Sequence, residues 1–237
     1  MKMKPLLLVP CALLLGLLSF AGLAQAPNDE PAAPAAQLVA RWTAADATCR
    51  STTAPAIDAV GGCDQRDTLS KVLAQANYCH AAAAGGAPRW MPCTARLLAD
   101  QAAATRATAQ FQRMGGVFVL SALMNRGTQA YFIVDSGAAT IQVPEEAVEE
   151  MKRTGTLTEA DFMGQHRFIL ADGRTMQQRV FRLRSLQIGD RTMENVLATA
   201  GAPKSRALLG QSFLKRLNWW KIDNVRNAIE FEFTGAF

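Results

Sequence analysis

Histidine is scarce in this chain of 237 residues, which contains only two. His80 and His166 both lie outside any recognisable triad pattern, so a hydrolase that relies on a serine and a histidine is disfavoured. "GQSFL" at 210–214 is not a nucleophile elbow, because leucine replaces the second glycine. No C-x-x-C motif occurs and no histidine lies at metal-ligand spacing, which disfavours a zinc site. We therefore expect neither a metal nor another cofactor.

Charged residues are also few, at 19% of the sequence, whereas hydrophobic residues make up 49%. This composition is typical of a globular protein and not of a disordered one. The formal net charge of +5 is small and spread along the chain, so we expect no nucleic-acid partner. The densest basic set is Arg179, Arg182 and Arg184. Two of these alternate with Phe181 and Leu183, which predicts the solvated face of a strand.

Residues 1–26 are predicted to be a signal peptide. A positively charged "MKMK" precedes a long apolar run, and "LAQA" supplies small residues at the spacing that a signal peptidase accepts. The run approaches the ~20 residues that span a bilayer, so we expect contact with a membrane only if this segment is not cleaved. Cleavage would leave a protein exported across the inner membrane, and we expect it in the periplasm.

The exported chain would keep four cysteines, Cys49, Cys63, Cys79 and Cys93. An even number in an exported protein predicts two disulfides. The three-four spacing of apolar residues predicts a helix over 64–78, which would separate Cys63 from Cys79 by about 24 Å. A disulfide needs Cα atoms within about 7 Å, so that pairing is disfavoured. Two arrangements stay open: Cys49–Cys63 with Cys79–Cys93, or Cys49–Cys79 with Cys63–Cys93.

The rest of the chain divides by composition. Residues 27–37, rich in proline and alanine, predict a linker, and residues 38–112 predict a small α-helical module that carries all four cysteines. Within this module a second helix is predicted over 94–111. Residues 114–237 have the strand and turn signals of a mainly β domain. The module could serve in targeting, autoinhibition or substrate docking.

Turn signals divide the β domain into hairpins. "NRGT" separates two apolar runs, Asp172-Gly173 separates two more, and "SLQIGDRTMENVLATA" forms another such pair. "EEAVEEMKRTG" predicts a brief helix, with acids early and bases late. "RALLGQSFLKRLN" predicts an apolar strand, a glycine and a helix, and "WWKIDNVRNAIEFEF" predicts two closing strands.

The stretch "YFIVDSGAAT" at 131–140 ends an apparently buried strand on a carboxylate, that of Asp135. Asp-Ser-Gly is ordinary turn material, so the tripeptide alone proves little. Burial of a charge without a partner is costly, however. Asp135 therefore either opens a turn at the surface or has a partner that compensates its charge.

The order of motifs resembles the retropepsin-like aspartic proteases, a family with a single-lobe domain. The family's apolar-apolar-Asp-Thr/Ser-Gly-Ala motif corresponds to residues 133–138, and its second landmark, two apolar residues and a glycine, corresponds to Leu208, Leu209 and Gly210. "FILADGRTM" lies between them as a glycine-tipped hairpin, and "LLGQSFL" followed by "WWKID" is similar to the exported bacterial branch. The resemblance covers residues 114–235 and implies a closed β-barrel.

This resemblance implies the functional residues. Asp135 would be the catalytic acid/base, Ser136 would bond across a symmetry axis, and Gly137 would let the backbone approach the substrate closely. The hairpin tip would form a flap over the substrate. The predicted substrate-binding residues are Ala138, Ala171, Asp172, Gly173, Arg174, Leu209 and Gly210.

Hydrolysis by carboxylates needs two of them around one water, and they share a proton because two close carboxyls cannot both ionise. The chain has a single Asp-Ser-Gly, so the second carboxylate would come from Asp135 of another copy in a C₂ homodimer. We therefore expect an aspartic endopeptidase that acts on peptides or proteins. "AIEFEF" alternates apolar and acidic residues, which suits a strand in the dimer interface.

Two other functions fit the sequence. The protein could bind peptides on a protease fold without turning them over, although the intact Asp-Ser-Gly disfavours this. Alternatively, the cysteine-containing module could act as an inhibitor or binding protein, with the β domain as its scaffold.

Overall fold

The computed structural model describes residues 35–82, 86–169 and 173–234. The predicted signal peptide and most of the predicted linker lie outside the described residues, and the last linker positions already belong to the first helix. The chain from Ala33 to Phe237 forms one compact unit. No helix of the described residues has the length and apolar character needed to cross a membrane.

The N-terminal part is mainly helical. Apolar side chains from its helices and hairpin meet in a small core of Leu38, Trp42, Ala45, Leu69 and Leu73. The rings of Trp42, His80 and Trp90 lie within 5.5 Å of one another and close this core from the hairpin side. Its helices are α1 (Ala35–Arg50), α2 (Ala56–Gln75) and α3 (Ala95–Thr105), and its hairpin consists of β1 (Tyr78–Ala82) and β2 (Pro88–Pro92).

Two disulfides cross-link this part, Cys49–Cys63 and Cys79–Cys93. They are the first of the two arrangements that the sequence left open. Cys49–Cys63 joins α1 to α2, and Cys79–Cys93 ties β1 to the residue that follows β2. The helix predicted over 64–78 is α2, which begins earlier and ends before Cys79, because a left-handed Asn77 (φ 63°) turns the chain into β1.

The second predicted helix, 94–111, is wrong in its C-terminal half. α3 ends at Thr105, and β3 (Arg106–Met114) follows at once. Alternate β3 residues, Ala107, Ala109 and Phe111, are buried, because the strand pairs with two others. Alanine-rich composition favours helix, but strand pairing overrides that local preference. The predicted module boundary after residue 112 therefore falls inside a strand.

The remaining chain is mainly β, which confirms the predicted fold class of a mainly β domain preceded by a disulfide-linked helical segment. Its two helices are short, α4 (Glu145–Arg153) and α5 (Gln211–Leu214), and a 3-10 turn covers Glu159–Asp161. Its strands after β3 are β4 (Val117–Met124), β5 (Thr128–Val134), β6 (Ile141–Val143), β7 (Phe162–Ile169), β8 (Thr175–Ile188), β9 (Arg191–Ala200), β10 (Ala207–Leu209), β11 (Leu217–Asp223) and β12 (Ala228–Phe233).

These strands pair in the order β11-β12-β3-β4-β5-β10-β6-β9-β8-β7, and β8 also pairs with β4. Leu123 and Met124 of β4 lie opposite Gln187 and Leu186 of β8. Strand pairing therefore runs from β4 through β5, β10, β6, β9 and β8 and returns to β4. Closure into a barrel goes beyond these pairings and remains a prediction. The predicted hairpins all form, with turns between β4 and β5, between β7 and β8, and between β8 and β9.

Strand β12, the predicted interface strand "AIEFEF", lies inside this sheet. One of its edges pairs with β11 and the other with β3, and its apolar residues Ile229, Phe231 and Phe233 are buried within the same chain. Neither edge of β12 is therefore free to pair with another copy, and its placement at a dimer interface stays a prediction. Its alternation of apolar and acidic residues reflects a strand with one buried face.

The basic run on β8 is not simply a solvated face. Arg182 and Arg184 both bind Asp161, which is completely buried, at 2.7 Å and 2.6 Å. Burial alone would raise the pKa of Asp161, but hydrogen bonds from Arg184, Thr158 and Arg182 outweigh it and lower that pKa. These arginines therefore hold the turn before β7 against the sheet.

Candidate functional site

The two motifs of the sequence lie side by side in the structure. β5 and β10 pair in parallel, with Leu208 opposite Ile133 and Leu209 opposite Val134. The backbone N–H of Asp135 continues this ladder by donating to the carbonyl oxygen of Leu209 at 3.2 Å. Parallel strands end at the same edge of a sheet. The Asp135 loop (residues 135–140) and Gly210 therefore meet at one edge, although 75 positions separate Asp135 from Gly210 in the sequence.

The Asp135 side chain closes a tight turn. Its Oδ1 accepts the backbone N–H of Gly137 at 2.9 Å, and its backbone carbonyl accepts the N–H of Ala138 at 3.3 Å. Asp135 is half-buried, and Ser136 and Gly137 are exposed. Among the described residues no hydrogen bond or ion pair reaches Oδ2. One carboxylate oxygen is thus fixed by the loop, and the other is available to a further group.

The strand before Asp135 is less buried than its sequence suggested. Phe132 is the one fully buried residue of β5, and Tyr131 is 62% exposed. Ile133 and Val134 are half-buried. The carboxylate therefore follows a strand that is only partly buried, and it is itself partly accessible to solvent.

Helix α5 binds the backbone of the Asp135 loop through hydrogen bonds. The backbone N–H groups of Gln211 and Ser212 donate to the carbonyls of Ala138 and Ala139, at 2.8 Å and 3.1 Å. The side-chain amide of Gln211 donates to the carbonyl of Ser136 at 2.7 Å. The first N–H groups of a helix have no partner within the helix, and here the loop supplies the acceptors. The loop backbone is therefore fixed on both sides of Gly137.

Ser212 fixes the end of the Asp135 loop. Its buried Oγ accepts the backbone N–H of Ile141 at 2.8 Å and donates to the carbonyl of Leu197 at 2.7 Å. Sequence reasoning missed Gln211 and Ser212 as parts of the site. Their place directly after Gly210, where the helix begins, was the available signal.

Gly210 must be glycine for steric reasons. A Cβ built there would lie 2.2 Å from the carbonyl oxygen of Thr140 and 2.7 Å from that of Ala138. Both distances are shorter than any contact that a real methyl group makes. The absence of a side chain thus lets α5 approach the Asp135 loop closely enough to donate its N–H groups. Leu209, the preceding predicted residue, is completely buried and anchors β10 in the core.

The predicted flap corresponds to the hairpin of β7 and β8. Ile169 and Thr175 form its last pair, and Gly173, with a φ of +82°, lies in its tip beside Arg174. The predicted substrate-binding residues Ala171 and Asp172 lie outside the described residues. Gly173 and Arg174 thus belong to the tip of the β7–β8 hairpin, which lies between the two motifs in the sequence.

A glutamine pair ties the stem of this hairpin to the sheet beside the site. Gln178 on β8 donates through its side-chain amide to Oε1 of Gln142 at 3.1 Å. Gln142 lies on β6, opposite Leu208 of β10. Near the tip, the apolar side chains of Ile169 and Met176 are exposed. The stem of the hairpin is therefore bound to β6, the strand that follows the Asp135 loop. Its exposed apolar side chains, Ile169 and Met176, lie near the tip.

The described residues contain no cluster of three or more side chains that could hold a metal ion. The site presents the carboxylate of Asp135, which the loop backbone positions. One chain supplies one such carboxylate.

Residues 121–216 match the family described as "gag-polyprotein putative aspartyl protease". This segment contains the Asp135 loop, the β7–β8 hairpin and Gly210, so the predicted resemblance to the retropepsin-like aspartic proteases is confirmed. The match supports a general aspartic protease function. The comparison with curated proteins returned no match.

Two solved structures are similar to part of the chain. One is a retropepsin-like aspartic protease from Rickettsia conorii, which is 20% identical in sequence. The matched region covers 54% of this chain and 90% of the Rickettsia chain, with a TM-score of 0.39. The other is the retroviral protease-like domain of Ddi1 from Leishmania major, 16% identical, which covers 49% of this chain and 93% of its own with a TM-score of 0.35.

Proposed function

We propose that this chain, whose residues 121–216 match the aspartyl protease family, is an exported endopeptidase that uses Asp135 as its catalytic acid/base. The observation that carries the proposal is the state of the Asp135 carboxylate. Its Oδ1 is held by Gly137 and its Oδ2 is without a partner among the described residues. A carboxylate that is oriented by the backbone and open to solvent can bind and deprotonate a water.

A single carboxylate is not sufficient for this chemistry. The ionised member of a pair takes a proton from water, while the protonated member polarises the scissile carbonyl and later protonates the leaving nitrogen. We propose that the second carboxylate is Asp135 of another copy in a C₂ homodimer. The exposure of Ser136 and Gly137 supports this, because two such loops can approach without the prior removal of a covering element.

The proposed substrate is an extended peptide that lies between the Asp135 loop and the β7–β8 hairpin. Backbone pairing would bind it like an added strand, with little dependence on sequence. The exposed Ile169 and Met176 near the hairpin tip would contact apolar side chains of the substrate. Gly173 would let the tip come close to the peptide backbone.

Export and a periplasmic location belong to the same proposal. Cys49–Cys63 and Cys79–Cys93 suit an oxidising compartment. Measurement of the N-terminal sequence of the mature protein, and of its recovery in the periplasmic fraction, tests this part. Recovery of the full-length chain in the cytosol with reduced cysteines would contradict it.

The substitution Asp135→Asn tests the catalytic role, because it keeps the size of the side chain and removes its charge. Cleavage of a peptide library should fall by a factor on the order of 10²–10⁴, and a pepstatin-like transition-state analogue should inhibit the wild type. Asp190→Asn is the matched control, since Asp190 lies in the exposed turn between β8 and β9. Equal cleavage by the wild type and Asp135→Asn would eliminate Asp135 as the catalyst.

The same assay separates an enzyme from a binding protein. If the wild type binds peptides from the library as tightly as Asp135→Asn does and cleaves none of them, the protein is a peptide-binding module. Dilution tests the dimer, because specific activity should fall below the dimer dissociation constant. Activity that stays constant in a proven monomer would overturn the shared dyad.

A further inference from the structure

Arg216, two residues after α5, is a buried charge that joins three parts of the chain. Its side chain is only 2% exposed. Its Nε donates to Oδ2 of Asp67 on α2 at 2.6 Å. Its Nη1 donates to the carbonyls of Glu194 and Asn195 on β9, at 2.9 Å and 3.1 Å. An isolated charge would be expensive at this depth, so Arg216 depends on Asp67 to remain there.

Asp67 is itself held in place by its own helix. It is 4% exposed, and its Oδ1 accepts Nε of Arg66 at 2.9 Å. Arg66 in turn reaches Oδ1 of Asp46 on α1 at 3.4 Å. The charges of α1, α2 and Arg216 thus alternate in sign along one line of contacts. The position of Arg216 is therefore set by the helical segment and not by α5 alone.

Further contacts join the same two regions. Lys215 binds Asp64 of α2 at 2.9 Å, and Lys71 of α2 donates to the carbonyl of Lys215 at 2.5 Å. The side-chain amide of Asn195 donates to the carbonyl of Cys49 at 2.7 Å, next to the first disulfide. The disulfide-linked helices therefore hold the chain immediately after α5 from several directions.

Helix α5 is too short to absorb a displacement at one end. Its last backbone bonds run from the N–H of Lys215 to the carbonyl of Gln211 and from that of Arg216 to Phe213, both at 3.0 Å. Gln211 is also the residue that donates two hydrogen bonds to the Asp135 loop. A shift of Arg216 would therefore move Gln211 and with it the backbone that fixes the carboxylate.

We propose that Arg216 is a positioning residue for Asp135, and that the helical segment 35–105 braces the site through the ion pair between Asp67 and Arg216. This inference rests on the proposed function for its catalytic consequence. It also predicts that this ion pair stabilises the conformation of residues 136–141, which can be tested without a measurement of peptidase activity. It assigns to the cysteine-containing segment a supporting role for the loop in place of targeting, autoinhibition or docking.

The test is Asp67→Asn, which preserves shape and removes the negative charge that holds Arg216. Hydrogen exchange, followed by mass spectrometry well below the melting temperature, should accelerate in residues 136–141 and 211–216. Exchange in β3 and β4, which make no contact with Arg216 among its described hydrogen bonds, should change little. In the peptide assay kcat should fall by about 10- to 100-fold with little change in KM, because misplacement of a reacting group affects the chemical step more than binding.

Asp58→Asn is the matched control, because Asp58 lies on the same helix and is exposed. Loss of this surface charge should alter neither exchange in the Asp135 loop nor kcat. Unchanged exchange in residues 136–141 of folded Asp67→Asn would overturn the inference. Equal effects of Asp58→Asn and Asp67→Asn would overturn it as well, because they would indicate general loosening.

A second variant covers the case in which Asp67→Asn does not fold. The double substitution Asp67→Leu/Arg216→Met replaces the buried ion pair with apolar groups, a change that proteins often tolerate. The carbonyls of Glu194 and Asn195 then lose their donors, so exchange in residues 136–141 should still rise. No rise in the folded double variant would refute the inference. Suppose that exchange in residues 136–141 rises in the variants but that the wild type cleaves no peptide. That result would support the brace and reject the proposed function.

Discussion

Residues 35–105 and residues 106–233 are stabilised by different means. The β region buries a large connected core, which includes Phe132, Phe181, Phe213, Phe231 and Phe233. The helical region buries a small one and adds two disulfides and an alternating line of buried charges. A small region exposes much surface relative to its volume, so apolar burial alone gives it little stability. The comparison teaches that the two disulfides occur where the core is thin, whereas buried ion pairs occur in both regions.

The largest expected effect is the loss of a core ring from the β region. Phe231 is completely buried, and its neighbour Phe213 lies 5.9 Å away between ring centroids. Phe231→Ala should lower the free energy of unfolding by about 3–5 kcal/mol, measured by urea unfolding. Val225→Ala, in an exposed turn, should change it by less than about 0.5 kcal/mol. A loss below about 1 kcal/mol for Phe231→Ala would contradict the assignment of the main core.

Loss of a disulfide should have the next largest effect. Cys49→Ala/Cys63→Ala removes a link between residues 14 positions apart, and closure of such a loop is worth about 3 kcal/mol. The loss should concentrate in the helical region, because that region has little else to hold it. Hydrogen exchange should therefore accelerate in residues 35–75 more than in β4, β8 and β9. Equal acceleration throughout would show that both regions open as one unit.

A smaller effect is expected at the buried carboxylate of the β region. Asp161→Asn should cost about 2 kcal/mol, less than for a fully enclosed pair, since Arg184 is partly exposed. The folded-state pKa of Asp161 is lowered, so its contribution to stability is present above the ordinary pKa of 3.8 and is lost as pH falls through the folded-state pKa. Acid unfolding of Asp161→Asn should consequently depend less on pH below 3.8 than that of the wild type.

The smallest effect is expected at His80 in the helical region. Burial lowers its pKa below 6.5, Asp46 opposes this, and Arg50 adds to it. The unfolded chain therefore takes up the proton first, and stability declines as pH falls from about 6.5 through the lowered folded value. His80→Gln should reduce this decline, measured by urea unfolding between pH 7 and 5. His166→Gln is the control, because His166 is exposed on β7. An identical decline of stability with pH in both variants would contradict the role assigned to His80.

Much of the β region was predictable from its sequence. Turn residues and alternation of apolar side chains act over short distances, so they indicated the hairpins around 125–128 and 188–191. The helix α4 was also indicated, by its early acids and late bases. The disulfide pairing was narrowed to two arrangements by the length of one helix, and the fold chose between them.

The errors share one physical cause, which is that partners distant in sequence override local preference. Residues 106–111 looked helical because of their alanines, but β12 offers backbone partners to residues 106–110 and β4 to residues 111–114. Arg182 and Arg184 looked solvated because nothing in their own segment reveals that Asp161 lies beneath them.

By itself the sequence determined the candidate carboxylate, that of Asp135, and the glycine beside which it would lie. Asp-Ser-Gly after an apolar run and Leu-Leu-Gly before a helix are local patterns, and each can be read without knowledge of the other. Only the tertiary structure decided how the Asp135 loop is held. Gln211 of α5 donates to the loop, and Asp67 of α2 binds Arg216, which follows α5. Hydrogen bonds and buried ion pairs depend on distances of about 3 Å. Such distances arise only when segments remote in the chain are folded together.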